Sequence, residues 1–447
     1  MGYLLTLILF FLFLVLSVNV WGTVMIDPIN LGAFNIHLVD ICFLGFAAGA
    51  SLRMRKYREH FHGFERVIGG PFMLFLLWTL GLAFYSIIGL GQGVNNTIRF
   101  LIGTWYMSVY FLLPAIAKDA REMRTLLILL LLFLSGSYFI NLFQNLTGWH
   151  PASSLDQTMM SYTVDYGGIY RTWNPTQMWL IGLTAFTLTR VYYDRVTMGR
   201  LTALFFMLIF LAFTFFRSYY LGFAAALVFL FTANVKPTAT ARHRSVMKTV
   251  FNIIRVGVAA YLLVWGVFQL FPIVQERMAS AFVEIAEGSG TFAHRIRLLA
   301  LSTVYMDSIF MGGGYATLEY TNKMGSAIDF LIASLSSGAD SGIINLFFRF
   351  GLIGLSLYLF VTWRLFSRTL SRLRSCEIGD TYTMMMTSLV YTVWVWVGGI
   401  ANNTFTSVAN APVLVTLWAI NDIAWNLHRR RSETPPTAES TISDQRP

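Results

Sequence analysis

Arg171 lies in the run Tyr170-Arg-Thr-Trp-Asn-Pro175 just before an apolar stretch, and Arg217 lies in Phe216-Arg-Ser-Tyr-Tyr-Leu-Gly222 between two more. Arg295 and Arg297 sit in a run with apolar residues at helical spacing. A guanidinium is planar, stays protonated and offers paired donors, so it suits phosphate and diphosphate groups better than any other side chain. An arginine at a lipid interface also snorkels to phospholipid phosphates with no further role, and residue type leaves both readings open for each arginine taken singly. Asp340 precedes another apolar stretch, in Gly338-Ala-Asp-Ser-Gly342. A carboxylate at such a boundary can act as a general base, or it can cap the helix that follows. Arg349, deeper in that same stretch, is costly in hydrocarbon and must face a cavity or a partner. Asp40 and Asp422, both inside apolar stretches, are the two candidates for that partner.

Other chemistries find little support. His37, His150 and His294 are dispersed without ligand spacing, as are His60, His62, His243 and His428, so no metal site is expected. Gly312-Gly-Gly314 lacks the lysine of a phosphate-binding loop and reads as a flexible turn at a helix end. Two cysteines, Cys42 and Cys376, cannot form a disulfide framework. No cofactor is expected, and no basic, aromatic-interleaved patch argues for nucleic acid.

The elements that must position these residues are membrane helices. Of 447 residues, 56% are hydrophobic and 12% charged, with a mean hydropathy of +0.61. A soluble chain of this size carries about 25% charged residues, so the composition excludes a soluble enzyme and points to lipid as solvent. About 20 apolar residues cross the bilayer core as a helix. That ruler places spans near residues 2–21, 34–51, 71–90, 98–117, 126–146, 177–193, 201–216, 219–235, 256–272, 342–363, 381–400 and 407–425. The first has no basic flank and no clear cleavage site, so it reads as a retained helix rather than a signal peptide. The expected fold is all-α: a polytopic integral membrane protein of about twelve transmembrane helices with a large helical outer loop between the ninth and tenth.

The net charge of +10, from 32 Lys and Arg against 22 Asp and Glu, acts first as a topology signal. When loops are taken alternately, one side holds most of the basic residues. The other holds only Arg99, Arg171, Arg217, Arg277, Arg295, Arg297 and Lys323. Both termini are then cytoplasmic, and the arginines that invite a chemical role share the outer side. Two long outer connections, 147–176 and 273–341, belong to a transmembrane domain over 1–428. In the longer one, Gln275–Ala286 and Ala293–Phe310 predict helices at the interface, separated by Gly288-Ser-Gly290. Residues 429–447, rich in Ser, Thr, Pro and charge, predict a disordered cytoplasmic tail.

Asp340-Ser341, nine further positions and then Gly351-Leu-Ile-Gly354 resemble the signature of the bacterial O-antigen ligase and O-antigen polymerase superfamily, in which a His and a small polar residue stand at the first two places. Arg171 to Pro175 resembles the family's Arg followed by Asn-Pro at the start of a span. Arg217-Ser218 resembles its Ser-Arg turn. Arg295, followed by an apolar helix, Asp307 and Gly312-Gly-Gly314, resembles its outer-loop helix and Gly-rich turn. The likeness covers roughly Arg171 to Trp363. It implies a metal-independent, inverting glycosyltransferase of the bacterial inner membrane that takes a glycan from an undecaprenyl-diphosphate donor to a glycan or lipid acceptor on the periplasmic face. Arg171, Arg217, Arg295 and Arg297 would hold the diphosphate, and the residue at Asp340 would deprotonate the acceptor hydroxyl. The chain departs from the family in carrying Asp340 for the usual His and Arg349 for a common acidic residue before Gly-x-x-Gly; His294, beside Arg295, is the second candidate for the missing imidazole.

The alternative from another class is a twelve-helix transporter or flippase of lipid-linked oligosaccharide, using Asp40, Arg349 and Asp422 as a path. The two halves show no correspondence, and the functional-looking residues cluster at one face, which favours the transferase. A scaffold for polysaccharide assembly and export proteins would leave the outer arginines unexplained. Membrane lipid is a partner in every reading. A reporter fused after Ser326 is expected to read as external and one fused after Arg374 as cytoplasmic; the reverse pattern overturns the orientation.

Overall fold

The structure, a computed structural model, describes residues 2–18, 29–30, 35–148, 164–165, 170–171, 176–194, 197–214, 216–233, 272–287, 308–315, 341–400 and 411–433, with scattered positions between 258 and 306. Among these the chain is all-α apart from two two-residue antiparallel ladders, Ile29–Asn30 with Asn35–Ile36 and Val164–Asp165 with Tyr170–Arg171. Its helices are α1 (Tyr3–Val18), α2 (Leu38–Lys56), α3 (Arg58–Phe61), α4 (Gly69–Phe84), α5 (Val94–Trp105), α6 (Val109–Leu112), α7 (Ala120–Thr147), α8 (Gln177–Tyr193), α9 (Met198–Phe213), α10 (Arg217–Ala233), α11 (Pro272–Glu287), α12 (Gly342–Ser375), α13 (Asp380–Gly399) and α14 (Ala411–Glu433).

Among the described residues, three helical stretches are long and apolar enough to cross a membrane: Gly69–Gly89, Ala120–Thr147 and Gly342–Ser375. Shorter apolar helices run over Tyr3–Ser17, Phe100–Ile116, Met198–Phe213 and Arg217–Ala233. Together they mark a membrane protein. The expected span at 256–272 and most of the expected helix at 293–310 lie outside the described residues, whereas the other outer-loop helix is present as α11.

The core forms around α13, which buries nearly its whole circumference, including Tyr382, Met385, Met386, Leu389, Tyr391 and Trp394. Helices α8, α10, α12 and α14 pack on it. Small residues allow the close approaches: Gly222 of α10 meets Trp394, whose carbonyl oxygen would lie 2.7 Å from any added Cβ. Threonines inside the bundle return their hydroxyls to their own helix, as Thr184 does to the Leu180 carbonyl (2.8 Å) and Thr387 to Thr383 (2.7 Å). Such return bonds satisfy a hydroxyl where no water can.

The fourth predicted span is not one continuous helix. After α5 the chain passes through a 3-10 turn (Tyr106–Ser108), the single turn α6 and a second 3-10 turn (Leu113–Ile116). Pro114 has no N–H to give and its ring crowds the preceding turn. Tyr106 and Tyr110, four residues apart, donate from this interrupted segment to Asp40 and Asp422.

Helix α12 also breaks, at Gly351, where φ is +65°. The groups freed there are taken up by the Gly-rich turn. Gly313 N donates to the Phe348 carbonyl (2.7 Å), while Leu352 N and Ile353 N donate to the carbonyls of Ile309 (2.9 Å) and Phe310 (3.3 Å). The Trp78 indole takes the Phe350 carbonyl at 3.2 Å. On its other side the turn is held by Gln92, which donates to the Gly313 carbonyl at 2.9 Å, and by Ser86, whose hydroxyl accepts from Tyr315 N at 3.1 Å. Ser86 belongs to a π-helical turn, Tyr85–Gly89, that ends α4. Gly312-Gly-Gly314 is therefore a buried, doubly anchored turn rather than the flexible one that the sequence suggests.

A Cβ on Gly351 would run into the Phe310 carbonyl and come within 2.6 Å of Gly312 N, in a backbone region that disfavours L side chains. Gly351→Ala is expected to cost at least about 2 kcal/mol, whereas Gly136→Ala, where a Cβ meets nothing within 4 Å, should be neutral or favourable by up to about 1 kcal/mol. Thermal unfolding of the purified proteins in detergent measures both.

Candidate functional site

Near the helix ends that bear Arg217 and Ser341 lie two groups of buried polar side chains, one on α7 and α8 and one on α12. On α7, Asn141, Gln144 and Asn145 share one face and are 1–2% exposed. Asn141 donates to the Thr176 hydroxyl at the start of α8, and Asn145 donates to the Phe213 carbonyl at the end of α9 (3.0 Å). Thr176 and Gln177 are buried beside them. On α12, Ser341, Asn345 and Arg349 follow one another at four-residue spacing and are 5%, 2% and 4% exposed. Ser341 donates to the Gly399 carbonyl of α13 (3.5 Å), and Ser218 of α10 lies against Gly398. Asn141 Oδ1 is buried with no hydrogen-bond partner among the described residues.

Arg217 opens α10, and its guanidinium donates to the Ser280 hydroxyl of α11 at 2.8 Å. The first expected diphosphate ligand described with its side chain thus ties the outer-loop helix to the bundle. Arg171 is placed by its backbone alone: it pairs with Val164 across the short ladder, and neighbouring Tyr170 packs its ring on Gly148 at the end of α7. Asp340, His294, Arg295 and Arg297 lie outside the described residues. Ser341, not Asp340, occupies the capping position of α12, its hydroxyl accepting from Ile344 N (3.4 Å).

The intramembrane charges do not pair as the sequence suggests. Arg349 stacks its guanidinium on Phe100, 4.5 Å from the ring centre. Asp40 is engaged in the capping box of α2, accepting from His37 N (2.8 Å), and receives the Tyr106 hydroxyl. Asp422 forms a buried ion pair with Arg372 (2.7 Å), and accepts from Tyr110 and from Val67 N (3.1 Å). Both carboxylates are thus spent on holding helices together, and neither is the partner of Arg349.

Around Asp422 lies the opposite, cation-rich end of the bundle. Arg372 also reaches Glu65 (3.3 Å), Arg53 pairs with Glu122 (2.8 Å), and Arg190 bridges Asp194 (2.7 Å) and Asp380 (2.5 Å). Loops assigned to one side by charge are therefore neighbours in space. Burial alone would raise the Glu65 carboxyl, but Arg372, the Trp425 indole and Arg429 outweigh it and hold the group below its ordinary value. Its contribution to stability is present above the ordinary carboxylate range and is lost as pH falls through that lowered value.

Asn141, Gln144, Asn145, Gln177 and Asn345 are the site residues that the sequence reading does not single out. Their signal is polar spacing of three and four within otherwise apolar helices, which places them on one interior face. The two groups offer amide and hydroxyl donors and acceptors, with the Arg349 guanidinium deeper on the α12 stripe and that of Arg217 at the start of α10. Such a surface suits a polyhydroxylated or phosphorylated ligand. Among the described residues no group of three or more His, Cys, Asp or Glu is placed to hold a metal. No protein-family model matches the chain, and no curated protein matches it.

Arg372→Ala would leave Asp422 buried without its cation. Breaking such a pair costs about 3–5 kcal/mol, so the variant should show a sharply lowered melting temperature in detergent, while Arg217→Ala at the half-exposed rim should leave it nearly unchanged.

Proposed function

We propose that this chain is a glycosyltransferase of the polysaccharide polymerase or ligase type in the bacterial inner membrane. In this reading about twelve helices span the bilayer, both termini are cytoplasmic, and a glycan passes from an undecaprenyl-diphosphate donor to an acceptor hydroxyl at the periplasmic face. The observation that carries it is the two groups of buried amides and hydroxyls, on α7 and α8 and on α12, at the end of the bundle where Arg217 and Ser341 also stand. Sugar hydroxyls are recognised by such mixed donors and acceptors, and a diphosphate by guanidinium pairs.

In the transfer, the acceptor oxygen forms a bond to the anomeric carbon while the bond from that carbon to the diphosphate oxygen breaks. The proton of the acceptor hydroxyl goes to the carboxylate of Asp340, with His294 as the second candidate base, and the electron pair leaves on the diphosphate. Arg171, Arg217, Arg295 and Arg297 would neutralise the charge that builds there, which is the contribution preorganised donors make in acyl and phosphoryl transfer as well. The transporter reading loses ground, because Asp40 and Asp422 are committed to internal hydrogen bonds and an ion pair.

The test is the envelope polysaccharide profile of a deletion strain complemented with wild type, Arg217→Ala, Asp340→Ala or Asp340→His, each checked for membrane abundance. Arg217→Ala and Asp340→Ala are expected to abolish long glycan chains, as loss of one charge-stabilising donor costs about a hundredfold or more in rate, and Asp340→His to retain some. Full complementation by every variant would reject the transferase and move transport to first place.

A further inference from the structure

At the cation-rich end, the corner between α2 and α3 forms an open, shallow cavity of about 800 Å³ lined by Lys56, Tyr57, Arg58, Glu59, His60 and His62. Two further cations border it. Lys118 places its ammonium 4.1 Å from the centre of the Tyr57 ring, and Arg430 donates to the carbonyls of His60 and Lys118. The nearby carboxylates are mostly engaged: Glu122 is held by Arg53 at 2.8 Å, and Asp119 and Glu122 stand 4.0 Å and 3.9 Å from Lys118. Among the described residues, Arg55, Lys56 and Arg58 form no ion pair. The cavity therefore presents positive charge that the protein does not neutralise, with Glu59 as its one lining carboxylate.

The apolar surface beside it leads into the cavity. Ile41, Leu44 and Leu52 of α2 are 43%, 62% and 53% exposed, and Lys56 stands one turn beyond Leu52 on the same helix face. Helix α1 packs against α2 and adds Leu4, Leu5 and Ile8, all exposed. Its Tyr3 ring lies under the Arg53 guanidinium at 4.9 Å, which sets these leucines level with the cavity mouth. A ligand that fits both features carries phosphate at one end and hydrocarbon at the other. We propose that this corner binds the headgroup of an anionic phospholipid, its acyl chains lying along the exposed face of α2. Basic residues beside a membrane surface attract anionic lipid, and here several converge on one pocket from α2, α3, the loop before α7 and the end of α14. This site does not depend on the transferase reading.

The test uses the full-length protein in detergent, titrated with cardiolipin, phosphatidylglycerol or phosphatidylcholine and read by native mass spectrometry and by thermal stabilisation. Wild type should retain the two anionic lipids in preference to phosphatidylcholine. The double variant Lys56→Ala/Arg58→Ala, at two exposed positions, should weaken that retention about tenfold or more. Lys56→Arg/Arg58→Lys should preserve it. Arg368→Ala/Arg374→Ala, which removes two exposed cations at the same end of α12, should change it less than about twofold. An equal loss in that control pair, equal retention of phosphatidylcholine, or displacement of the lipid by inorganic pyrophosphate would each overturn the proposal, the last by pointing to a soluble phosphate ligand.

Discussion

Helix α12 surrenders its hydrogen-bond ladder at Gly351, and the bundle is organised around how the freed groups are recovered. In a medium without water each unpaired N–H or C=O costs several kcal/mol, so a break in a long apolar helix persists only where another segment supplies partners. Residues 309–313 supply them, by exchanging backbone hydrogen bonds with Phe348, Leu352 and Ile353. The exchange requires backbones to approach more closely than any side chain permits, which is why glycine stands on both sides of the contact. A turn belonging to the long outer connection thereby becomes part of the helical core. It also fixes the first turns of α12, and with them the direction of the Ser341, Asn345 and Arg349 stripe.

The two ends of the bundle solve the burial of polar groups differently. At the cation-rich end, full charges face each other: Arg372 with Asp422 and Glu65, Arg53 with Glu122. Such pairs hold geometry, because losing one partner leaves the other uncompensated in low dielectric. Tyr110 of α6 and Tyr106 of the 3-10 turn before it complete the carboxylates of Asp422 there and of Asp40 at the start of α2. The other end instead uses neutral amides and hydroxyls, whose hydrogen bonds run from α7 to the start of α8 and to α9 and from the start of α12 to α13. Neutral groups can exchange a protein partner for a ligand at lower electrostatic cost than an ion pair can. That difference leaves the neutral end better suited to exchanging partners and the ion-paired end better suited to holding geometry. The Arg217 to Ser280 contact joins α11 to this neutral end of the bundle.

Much of the architecture is legible in the chain. Helix α8 begins and ends where hydropathy places it, at Gln177 and Tyr193, and α11 follows the apolar spacing over 275–286. Alternating basic loops become neighbours in space, as Arg430 beside Lys118 and Arg372 beside Glu65 demonstrate. The burial of Arg349 follows from its cost in lipid. These features depend on composition and periodicity over one or two dozen residues, and such local quantities are written in the sequence.

What the tertiary structure alone decided are the pairings. Asp422 chooses Arg372, fifty residues away, and Asp40 chooses Tyr106, while Arg349 settles on Phe100. Gly312-Gly-Gly314 reads as a loose turn until the break at Gly351 is seen to receive it, and Pro114 hints at an interruption without telling which tyrosines will anchor it. The amides of α7 and α12 are visible as polar residues in apolar helices, but which neighbours receive them depends on how α8, α9 and α13 pack. Periodicity and hydropathy determined which residues form apolar helices and which face is buried, because those choices are made against solvent; partners were decided only by packing, because a contact between distant residues is a property of two surfaces that neither local sequence contains.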